Sequence, residues 1–448
     1  MLTIFLLVAQ LAAFVFGAAL PNELLYTRDT LLPPSEDPFY TPDEGYENEK
    51  PGTILRWRNA PQKPAVAVFK ENVKESIQIL YRTTDAQGDA TTTVVSVLIP
   101  YNHVDGKLLS YQNWEDSNWI NCSPSYAIQF GANPQGIVSQ VDMLTIEAAL
   151  NEGWIVSTPD YQGPKSSFTA GHMSGQATLD SIRAVLNSES FTGVKANSTV
   201  TMWGYSGGSI ATGWAAALQP TYAPELKIAG AALGGVIQNI TGVAVRVNKG
   251  PFVGLVPAGI LGLASQYPEL KTYIDDQLLP EKADEFKKAS QQCLIADSLE
   301  YSFQDWFSYM KSGDRILYNE TAQKVLNANA MGDQKPTMPL LFYHGVNDEI
   351  MPIEYVDNLY DEYCSNGVNV QYYRDESAEH VLEIVNGFPR AYNYVKNLMN
   401  GGSVQTGCQK HTVLSNGLEL DALPAYSEEI WATLKALLGF RIGPASIA

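Results

Sequence analysis

Positive charge is scarce in this chain of 448 residues. Lysine and arginine together number 29 against 48 aspartates and glutamates, which gives a formal net charge of −19. Because phosphate binding needs a basic surface, this balance argues against nucleic acid as a partner and against attraction to anionic membranes. A neutral substrate, or one presented at an uncharged lipid–water interface, is compatible with it.

Long hydrophobic runs are also few. Residues 2–19 carry no charge and end in small residues, a pattern that predicts a signal peptide over residues 1–19. The usual basic residues before such a run are missing, so a signal anchor is the alternative. The best later candidate for a membrane span, residues 250–268, is interrupted by glycine and proline. We therefore expect a secreted, extracellular protein.

Cysteine is limited to four residues, and their spacing fits no zinc site. An even number in an oxidising compartment predicts disulfides, for which three pairings are possible. Four N-x-S/T sequons agree with secretion. Nothing in the sequence indicates a metal or another cofactor. The cysteines are Cys122, Cys293, Cys364 and Cys408, and the candidate glycosylation sites are Asn121, Asn197, Asn239 and Asn319.

Small residues crowd around one serine in the stretch TMWGYSGGSIATGW, residues 201–214. An apolar, strand-like run precedes Ser206 and an alanine-rich, helical run follows it, so this serine lies on the turn between them. Gly204 and Gly208 remove side chains that would collide at a sharp strand-to-helix turn. The stretch therefore matches the G-x-S-x-G nucleophile elbow of α/β-hydrolases, in which the N–H group of Gly207 would donate to an oxyanion.

A serine nucleophile needs a base and an acid, which follow it in this order: serine, acid, histidine. The stretch MPLLFYHGVNDEIMP places Asp348 just after an apolar strand, and VQYYRDESAEHVLEIV places His380 at the start of a helix after another strand. Both loops would lie at the carboxyl edge of a parallel sheet, where the elbow also lies. We therefore predict Ser206, Asp348 and His380 as a catalytic triad.

Other residues compete for two of these roles. His411 is the reserve base, and Glu349 and Asp375 are alternative acids. We interpret His344 as a structural histidine at a strand end. A second oxyanion donor is expected after the strand at residues 107–111; Asp116 lies there and could donate only if its surroundings kept it protonated, whereas an ionised loop aspartate is the alternative.

Five stretches in this order resemble the fungal secretory lipases of the Candida antarctica lipase A type, a family of α/β-hydrolases: EDSNWINCSPSY, STPDYQGPKSSFTAG, WGYSGGSIATGWAA, FYHGVNDEIMP and AEHVLEIV. The resemblance runs from about residue 25 to the C-terminus. It implies the same triad, an oxyanion hole formed by Asp116 and Gly207, and hydrolysis of acyl esters. It also implies the disulfides Cys122–Cys293 and Cys364–Cys408.

The chain divides accordingly into a mostly parallel sheet flanked by helices and an inserted helical cap. We expect the α/β-hydrolase domain to span residues 20–231 and 331–448, and the cap or lid residues 232–330. Within the cap, the uncharged residues 250–265 are expected to contact the acyl chain, with an ordinary buried core segment as the alternative. Strands are predicted near 76–83, 91–99, 107–111, 154–158 and 199–203, and helices near 137–151, 175–187 and 427–440.

Three classes of function fit this organisation. A secreted lipase or carboxylic ester hydrolase acting on acylglycerols, without an obligate protein partner, is favoured. A serine peptidase or an acyltransferase on the same fold is the first alternative, although a peptidase of the prolyl-oligopeptidase kind needs a propeller that the segment before Ser206 is too short to hold. A catalytically inactive binding module is the second, and the presence of all three triad residue types argues against it.

Overall fold

The computed structural model describes residues 31–444. The predicted signal peptide lies outside the described residues. Across residues 31–444, no helix is long and apolar enough to cross a membrane. Twelve strands form in this part of the chain: β1 (Ile54–Asn59), β2 (Ala65–Val66), β3 (Phe69–Lys70), β4 (Glu75–Thr84), β5 (Ala90–Ile99), β6 (Lys107–Gln112), β7 (Ile155–Pro159), β8 (Thr199–Tyr205), β9 (Ile228–Gly234), β10 (Leu340–Gly345), β11 (Val370–Asp375) and β12 (Gln409–Val413).

Ten of these strands form one sheet in the order β1-β4-β5-β7-β6-β8-β9-β10-β11-β12, and β2 and β3 form a separate short hairpin. The pairs from β1 to β7 are antiparallel, and all pairs from β7 to β12 are parallel. The central strands β8 and β10 are buried almost throughout, because helices cover both faces of the sheet. The carboxyl ends of seven parallel strands therefore meet at one edge.

Sixteen α-helices accompany the strands in the described part of the chain. They are α1 (Pro124–Ala127), α2 (Ile137–Val141), α3 (Met143–Asn151), α4 (Gly171–Leu186), α5 (Glu189–Thr192), α6 (Gly207–Tyr222), α7 (Ile240–Arg246), α8 (Leu255–Gln266), α9 (Pro268–Gln277), α10 (Ala283–Lys287), α11 (Leu294–Tyr301), α12 (Glu320–Ala328), α13 (Ile353–Ser365), α14 (His380–Asn386), α15 (Phe388–Met399) and α16 (Ala422–Leu437).

Two apolar layers hold helices against the sheet. On one face, α4 and α6 pack on β-strand side chains such as Val97 and Met202. On the other face, α3 and α15 pack on side chains such as Val156 and Trp203, and α16 packs on these two helices. Met202 and Trp203 are neighbours on β8, so the strand's alternation of faces divides the core into these two layers.

The segment between β9 and β10, residues 235–339, is fully described and holds helices α7 to α12 but no strand of the sheet. A disulfide between Cys122 and Cys293 ties it to the loop after β6. A second disulfide joins Cys364, at the end of α13, to Cys408, just before β12. These are the two pairs that the family resemblance implies.

Several elements differ from the sequence-based expectations. Five strands were not expected: β1, β2, β3, β9 and β12. Strand β9 runs three residues past the predicted domain boundary at residue 231, so the inserted segment starts later. The helix expected over 137–151 is interrupted at Asp142, whose carboxylate accepts hydrogen bonds from Tyr111 Oη at 2.7 Å and from the Trp114 amide at 3.0 Å. Helix α4 begins four residues before the expected start at residue 175.

Candidate active site

Ser206 lies on the turn between β8 and α6, with φ 51° and ψ −121°. This backbone conformation is rare for a residue with a side chain and is strained. The turn also requires glycine on both sides: a Cβ atom at Gly204 would lie 2.2 Å from the Gly208 oxygen, and one at Gly208 would lie 2.0 Å from the Gln112 oxygen. The crowding of small residues in the sequence therefore reflects two close backbone contacts around the serine.

Three side chains from separate parts of the chain meet at this turn. His380, the first residue of α14, lies with Nε2 2.8 Å from Ser206 Oγ and with Nδ1 2.6 Å from Asp348 Oδ2. All three side chains are more than nine-tenths buried. The geometry fits a serine hydroxyl that donates to Nε2 and a ring that donates from Nδ1–H to the carboxylate.

The second oxygen of Asp348 is held by the backbone that follows it. Oδ1 accepts hydrogen bonds from the amides of Ile350 at 2.8 Å and Met351 at 2.7 Å. Burial alone would raise the pKa of Asp348, but the nearby His380 and these hydrogen bonds lower the pKa to about 2. Burial alone would lower the pKa of His380, but the charge of Asp348 beside it raises this pKa above the usual value of a histidine.

His344 also reaches the acid, a contact that sequence reasoning missed. The Val236 amide donates to its Nδ1 at 3.0 Å, so the ring proton is on Nε2. That nitrogen lies 3.0 Å from the Met351 oxygen and 3.4 Å from Asp348 Oδ2. Burial lowers the pKa of His344, which keeps the ring neutral. Its position at a strand end, four residues before the acid, was the available signal.

The alternative acids, Glu349 and Asp375, do not take part in the hydrogen bonds that join Ser206, His380 and Asp348. Glu349 accepts from the backbone amide of His380 at 2.6 Å, and Tyr205 Oη donates to the His380 carbonyl at 2.6 Å, so both hold the backbone of the histidine. Asp375 accepts from the amides of Ser377 and Asn416 at 2.8 and 2.6 Å.

The reserve base, His411, lies on an outer strand away from the serine turn. It is exposed on β12 and stacks on Tyr373 with ring centroids 5.0 Å apart. Its partner strand is β11, where Tyr373 is its register partner. The structure thus brings His380, and not His411, to hydrogen-bonding distance of Ser206 Oγ.

Asp116 lies against the residue that follows the serine. A Cβ atom built on Gly207 would be 1.6 Å from Asp116 Oδ1, so only glycine leaves room for this carboxyl group. Asp116 has φ 45° and is 4% exposed, and its Oδ1 has no hydrogen-bond partner among residues 31–444. Burial raises the pKa of Asp116 to about 7, against the opposing effect of His380. The Gly207 amide is the first of α6 and has no acceptor within that helix.

A small cavity, about 70 Å³ in volume, lies beside these groups. Its lining is mostly apolar and comes largely from α7 and α8 of the inserted segment, so part of the expected contact segment 250–265 reaches it. Sequence reasoning missed the wall formed by the loop before α4, which carries no apolar pattern of its own. The lining residues are Asp116, Phe168, Thr169, Ser206, Gly207, Ile210, Ile237, Ile240, Val243, Ala244, Leu255, Val256, Gly259, Ile260, Leu263, Leu317, Leu326 and Ile350.

The four sequon asparagines differ in exposure. Asn197 and Asn319 are exposed. Asn239 is half-buried, and its side chain caps α7 by accepting from the Thr241 amide at 2.9 Å. Asn121 is 8% exposed, and its Oδ1 accepts from the Ser35 amide at 3.0 Å. Because a glycan needs an accessible amide nitrogen, the expectation for Asn121 conflicts with its burial.

Comparison with known proteins identifies close relatives. The model of the secretory lipase family matches residues 128–407. Lipase A of Arthroderma benhamiae is 42% identical over 426 residues, covering 93% of this chain and 90% of the relative. A secreted triacylglycerol lipase of Malassezia globosa is 35% identical over 428 residues, covering 94% of this chain and 93% of the relative.

A solved structure agrees with these sequence matches. The X-ray structure of Candida antarctica lipase A in its closed state superposes with a TM-score of 0.81 at 28% identity, and covers 95% of this chain and 99% of that one. This likeness confirms the predicted α/β-hydrolase fold.

Proposed function

The chain belongs to the secretory lipase family and is a lipase or carboxylic ester hydrolase, and from that premise we propose that Ser206, His380 and Asp348 hydrolyse acylglycerols through an acyl-enzyme. The observation that carries this proposal is the unbroken chain of hydrogen bonds from Ser206 Oγ through His380 to Asp348. The mostly apolar cavity beside Ser206 supports an acyl chain as the group that is bound.

In the first half of the reaction, Ser206 Oγ attacks the ester carbonyl carbon and His380 Nε2 takes the hydroxyl proton. Asp348, ionised because its pKa is lowered to about 2, stabilises the imidazolium that forms. When the tetrahedral intermediate collapses, the bond to the leaving alcohol breaks and His380 returns the proton to the alcohol oxygen. The acyl group remains esterified to Ser206.

In the second half, water attacks the acyl-enzyme and loses its proton to His380, and the fatty acid leaves as Ser206 Oγ recovers a proton. Both steps develop negative charge on the carbonyl oxygen. We assign stabilisation of this charge to the Gly207 amide and to the Asp116 carboxyl group in its protonated form. Two observations support that role: Asp116 Oδ1 has no hydrogen-bond partner in the described part of the chain, and the pKa of Asp116 is raised to about 7.

We further assign His344 a positioning role, because its Nε2–H faces both the Met351 carbonyl and Asp348. Replacing His344 with phenylalanine should lower kcat on a soluble ester by about tenfold, since it leaves the buried Met351 carbonyl without its donor, at a cost of about 1–3 kcal/mol. KM should change little. His344→Gln, which keeps an N–H donor, should recover part of the loss, whereas equal losses in both variants would contradict the role.

For its location, we propose that the chain is exported with residues 1–19 as signal peptide. The family is secretory, and the Malassezia globosa relative is a secreted enzyme. Asn197 and Asn319 are the exposed sequons on which glycans are expected. We also retain the proposed division into a hydrolase domain and a helical cap, with the cap starting after β9.

The proposal is tested with Ser206→Ala, His380→Ala and the double variant on a soluble short-chain ester. Removing the nucleophile and removing its base disable the same step, so each single variant should lose on the order of 10⁶ in kcat and the double variant little more. His411→Ala is the matched control and should retain activity. A His380→Ala enzyme near wild-type turnover, with His411→Ala inactive, would overturn the assignment. A peptide and an emulsified triacylglycerol, assayed beside the ester, separate a peptidase from a lipase.

A further inference from the structure

The C-terminal part of the chain exposes a row of large apolar side chains, which we call the apolar rim. Their exposed fractions lie between 58% and 100%, with Leu420 fully exposed. Contiguous exposed apolar surface on a water-soluble domain marks a site of interaction. The rim is made of Leu414, Leu418, Leu420, Leu423, Ile430 and Trp431.

The backbone beneath the first rim residues is firmly held beside the catalytic histidine. The Ser377 amide donates to the Leu414 carbonyl at 3.1 Å. Asn416 donates from its amide to Asp375 Oδ2 at 2.6 Å and from its side chain to Glu383 Oε1 at 2.8 Å. Glu383 belongs to α14, the helix that His380 opens. The leucines are therefore presented from a fixed loop at the sheet edge that also carries the triad.

Helix α16 continues this surface with an unusual distribution of side chains. Its outer positions include Ile430 and Trp431, whereas its buried positions are small alanines: Ala422, Ala425, Ala432 and Ala436. A helix that serves only to cover the core would bury its large apolar residues instead. At about 1.5 Å per residue, the helix extends the exposed apolar surface by roughly 12 Å from Leu423 to Trp431.

The charged side chains between the rim leucines form ion pairs with an arginine. Glu419 and Asp421 lie 3.2 and 3.5 Å from the guanidinium of Arg390 on α15, which is 13% exposed. Pairing reduces their net charge beside the rim, while Leu418, Leu420 and Leu423 remain exposed. One guanidinium offsets only one of these two carboxylates, so the remaining charge beside the rim is negative and gives no attraction to an anionic surface.

We propose that the apolar rim docks the enzyme on an uncharged lipid surface, such as that of a triacylglycerol droplet. This inference rests on the proposed function, because the rim leucines that directly follow β12 lie at the sheet edge that carries the triad, and the substrate class forms such a surface. A second copy of the chain is the less favoured occupant, since each copy has a formal charge of −19 and the two would repel.

The test compares Leu418→Ser/Leu420→Ser with the wild-type protein. The matched control is Leu299→Ser, because Leu299 is 75% exposed on α11 of the cap, outside the rim. Partition onto triolein droplets stabilised with phosphatidylcholine is measured by flotation, beside hydrolysis of the same emulsion and of a soluble butyrate ester. The double variant should lose at least tenfold in partition and in emulsion hydrolysis, and should keep the wild-type rate on the soluble ester. Leu299→Ser should match the wild type.

Two further measurements make the outcomes decisive. Ser206→Ala should float with the droplets as the wild type does, so a failure of catalysis is distinguished from a failure of docking. Sedimentation velocity reports self-association. Unchanged partition of the double variant would overturn the inference. A wild-type dimer that the double variant abolishes, without change in partition, would assign the rim to a second copy.

Discussion

Two buried aspartates of the same site have opposite electrostatic surroundings. Asp348 accepts hydrogen bonds from two backbone amides and from His380, and its pKa is lowered to about 2. Asp116 has an oxygen without a hydrogen-bond partner in the described residues, and its pKa is raised to about 7. Both side chains are almost completely buried. Burial therefore does not decide the charge of a carboxyl group; the donors around it do.

This difference allows one residue type to perform two tasks near neutral pH. An ionised Asp348 stabilises a cation on His380, and a protonated Asp116 can donate to an anion on the substrate. The first two sets of mutations each replace one of these two aspartates. The later mutations concern other buried groups.

The largest effect is expected from removing the charge of Asp348. In Asp348→Asn the amide cannot hold the His380 tautomer that accepts the Ser206 proton, so kcat on a soluble ester should fall about 10⁴-fold. Glu349→Gln is the matched control, because Glu349 contacts the backbone and not the ring of His380. Its loss should stay within about tenfold, as estimated from one hydrogen bond. Reversed effects in these two variants would make Glu349 the acid.

Asp116 should show the next largest effect and a distinctive pH dependence. Asp116→Ala removes an oxyanion donor and should cost about 10²–10³ in kcat. In the wild type, activity should fall as pH rises through about 7, because the ionised carboxylate can no longer donate and repels the oxyanion. Asp116→Asn should lose this alkaline decline, since an amide donates at every pH. The check is a kcat profile from pH 5 to 9, and identical profiles for all three proteins would exclude a side-chain donor.

A smaller and selective effect is expected in the cavity. Gly259 lines it, and a Cβ atom there would lie 3.2 Å from Thr169 Cγ2, a contact that small shifts relieve. Gly259→Trp should slow hydrolysis of long-chain esters tenfold or more relative to acetate and butyrate esters, since each buried methylene contributes about 0.8 kcal/mol. A uniform loss across a series of acyl lengths would place the acyl chain elsewhere.

Gly254 and Gly262, in the same expected contact segment, are unsuitable for this test. A Cβ atom at Gly254 would lie 2.4 Å from the Asp297 oxygen, and one at Gly262 would lie 2.3 Å from the Phe168 oxygen. Both contacts are with backbone, which cannot move aside as a side chain can. Tryptophan at either position is expected to disrupt folding, not acyl selectivity.

The smallest effect concerns stability and a second pair of carboxyl groups. Glu71 and Glu147 are fully buried beside each other, and burial raises the pKa of both. Carboxyl groups with raised folded-state pKa values stabilise the fold most below their unfolded pKa of about 4.3, and that stability is lost as pH rises through the raised values. The free energy of unfolding should therefore decline toward pH 9.

Glu147→Gln should reduce this decline by up to about 1.4 kcal/mol per pH unit, the slope for one proton. Denaturant titrations at pH 5, 7 and 9 measure it. Glu44→Gln, at an exposed position, is the control and should keep the wild-type slope. A Glu147→Gln slope equal to that of the wild type would show that the pair does not bind an extra proton in the folded state.

The sequence alone predicted the parts of the site that have local signatures. The G-x-S-x-G turn around Ser206 and the strand-then-loop settings of Asp348 and His380 each fit within about fifteen residues, and the structure places these residues together. The roles of these residues stay predictions. Central strands such as β8 and β10 are also recognisable in the sequence as apolar runs.

Features that depend on tertiary contacts were not predictable in this way. Edge strand β12 is half-exposed and has no apolar alternation, and β9 is rich in alanine and glycine. The interaction of His344 with Asp348 requires the Val236 amide, more than a hundred residues earlier, to fix the ring proton. The sequence left the protonation of Asp116 open, because burial by distant segments determines it.

The most direct test of the proposed chemistry is to trap the acyl-enzyme. A p-nitrophenyl ester of a medium-chain acid is mixed with the enzyme, quenched in acid within milliseconds and digested, and the peptides are analysed by mass spectrometry. The predicted result is a single acyl adduct on the peptide that contains Ser206, present in the wild type and absent from Ser206→Ala. Turnover without an adduct on Ser206, or an adduct that persists in Ser206→Ala, would contradict the assignment of Ser206 as the nucleophile.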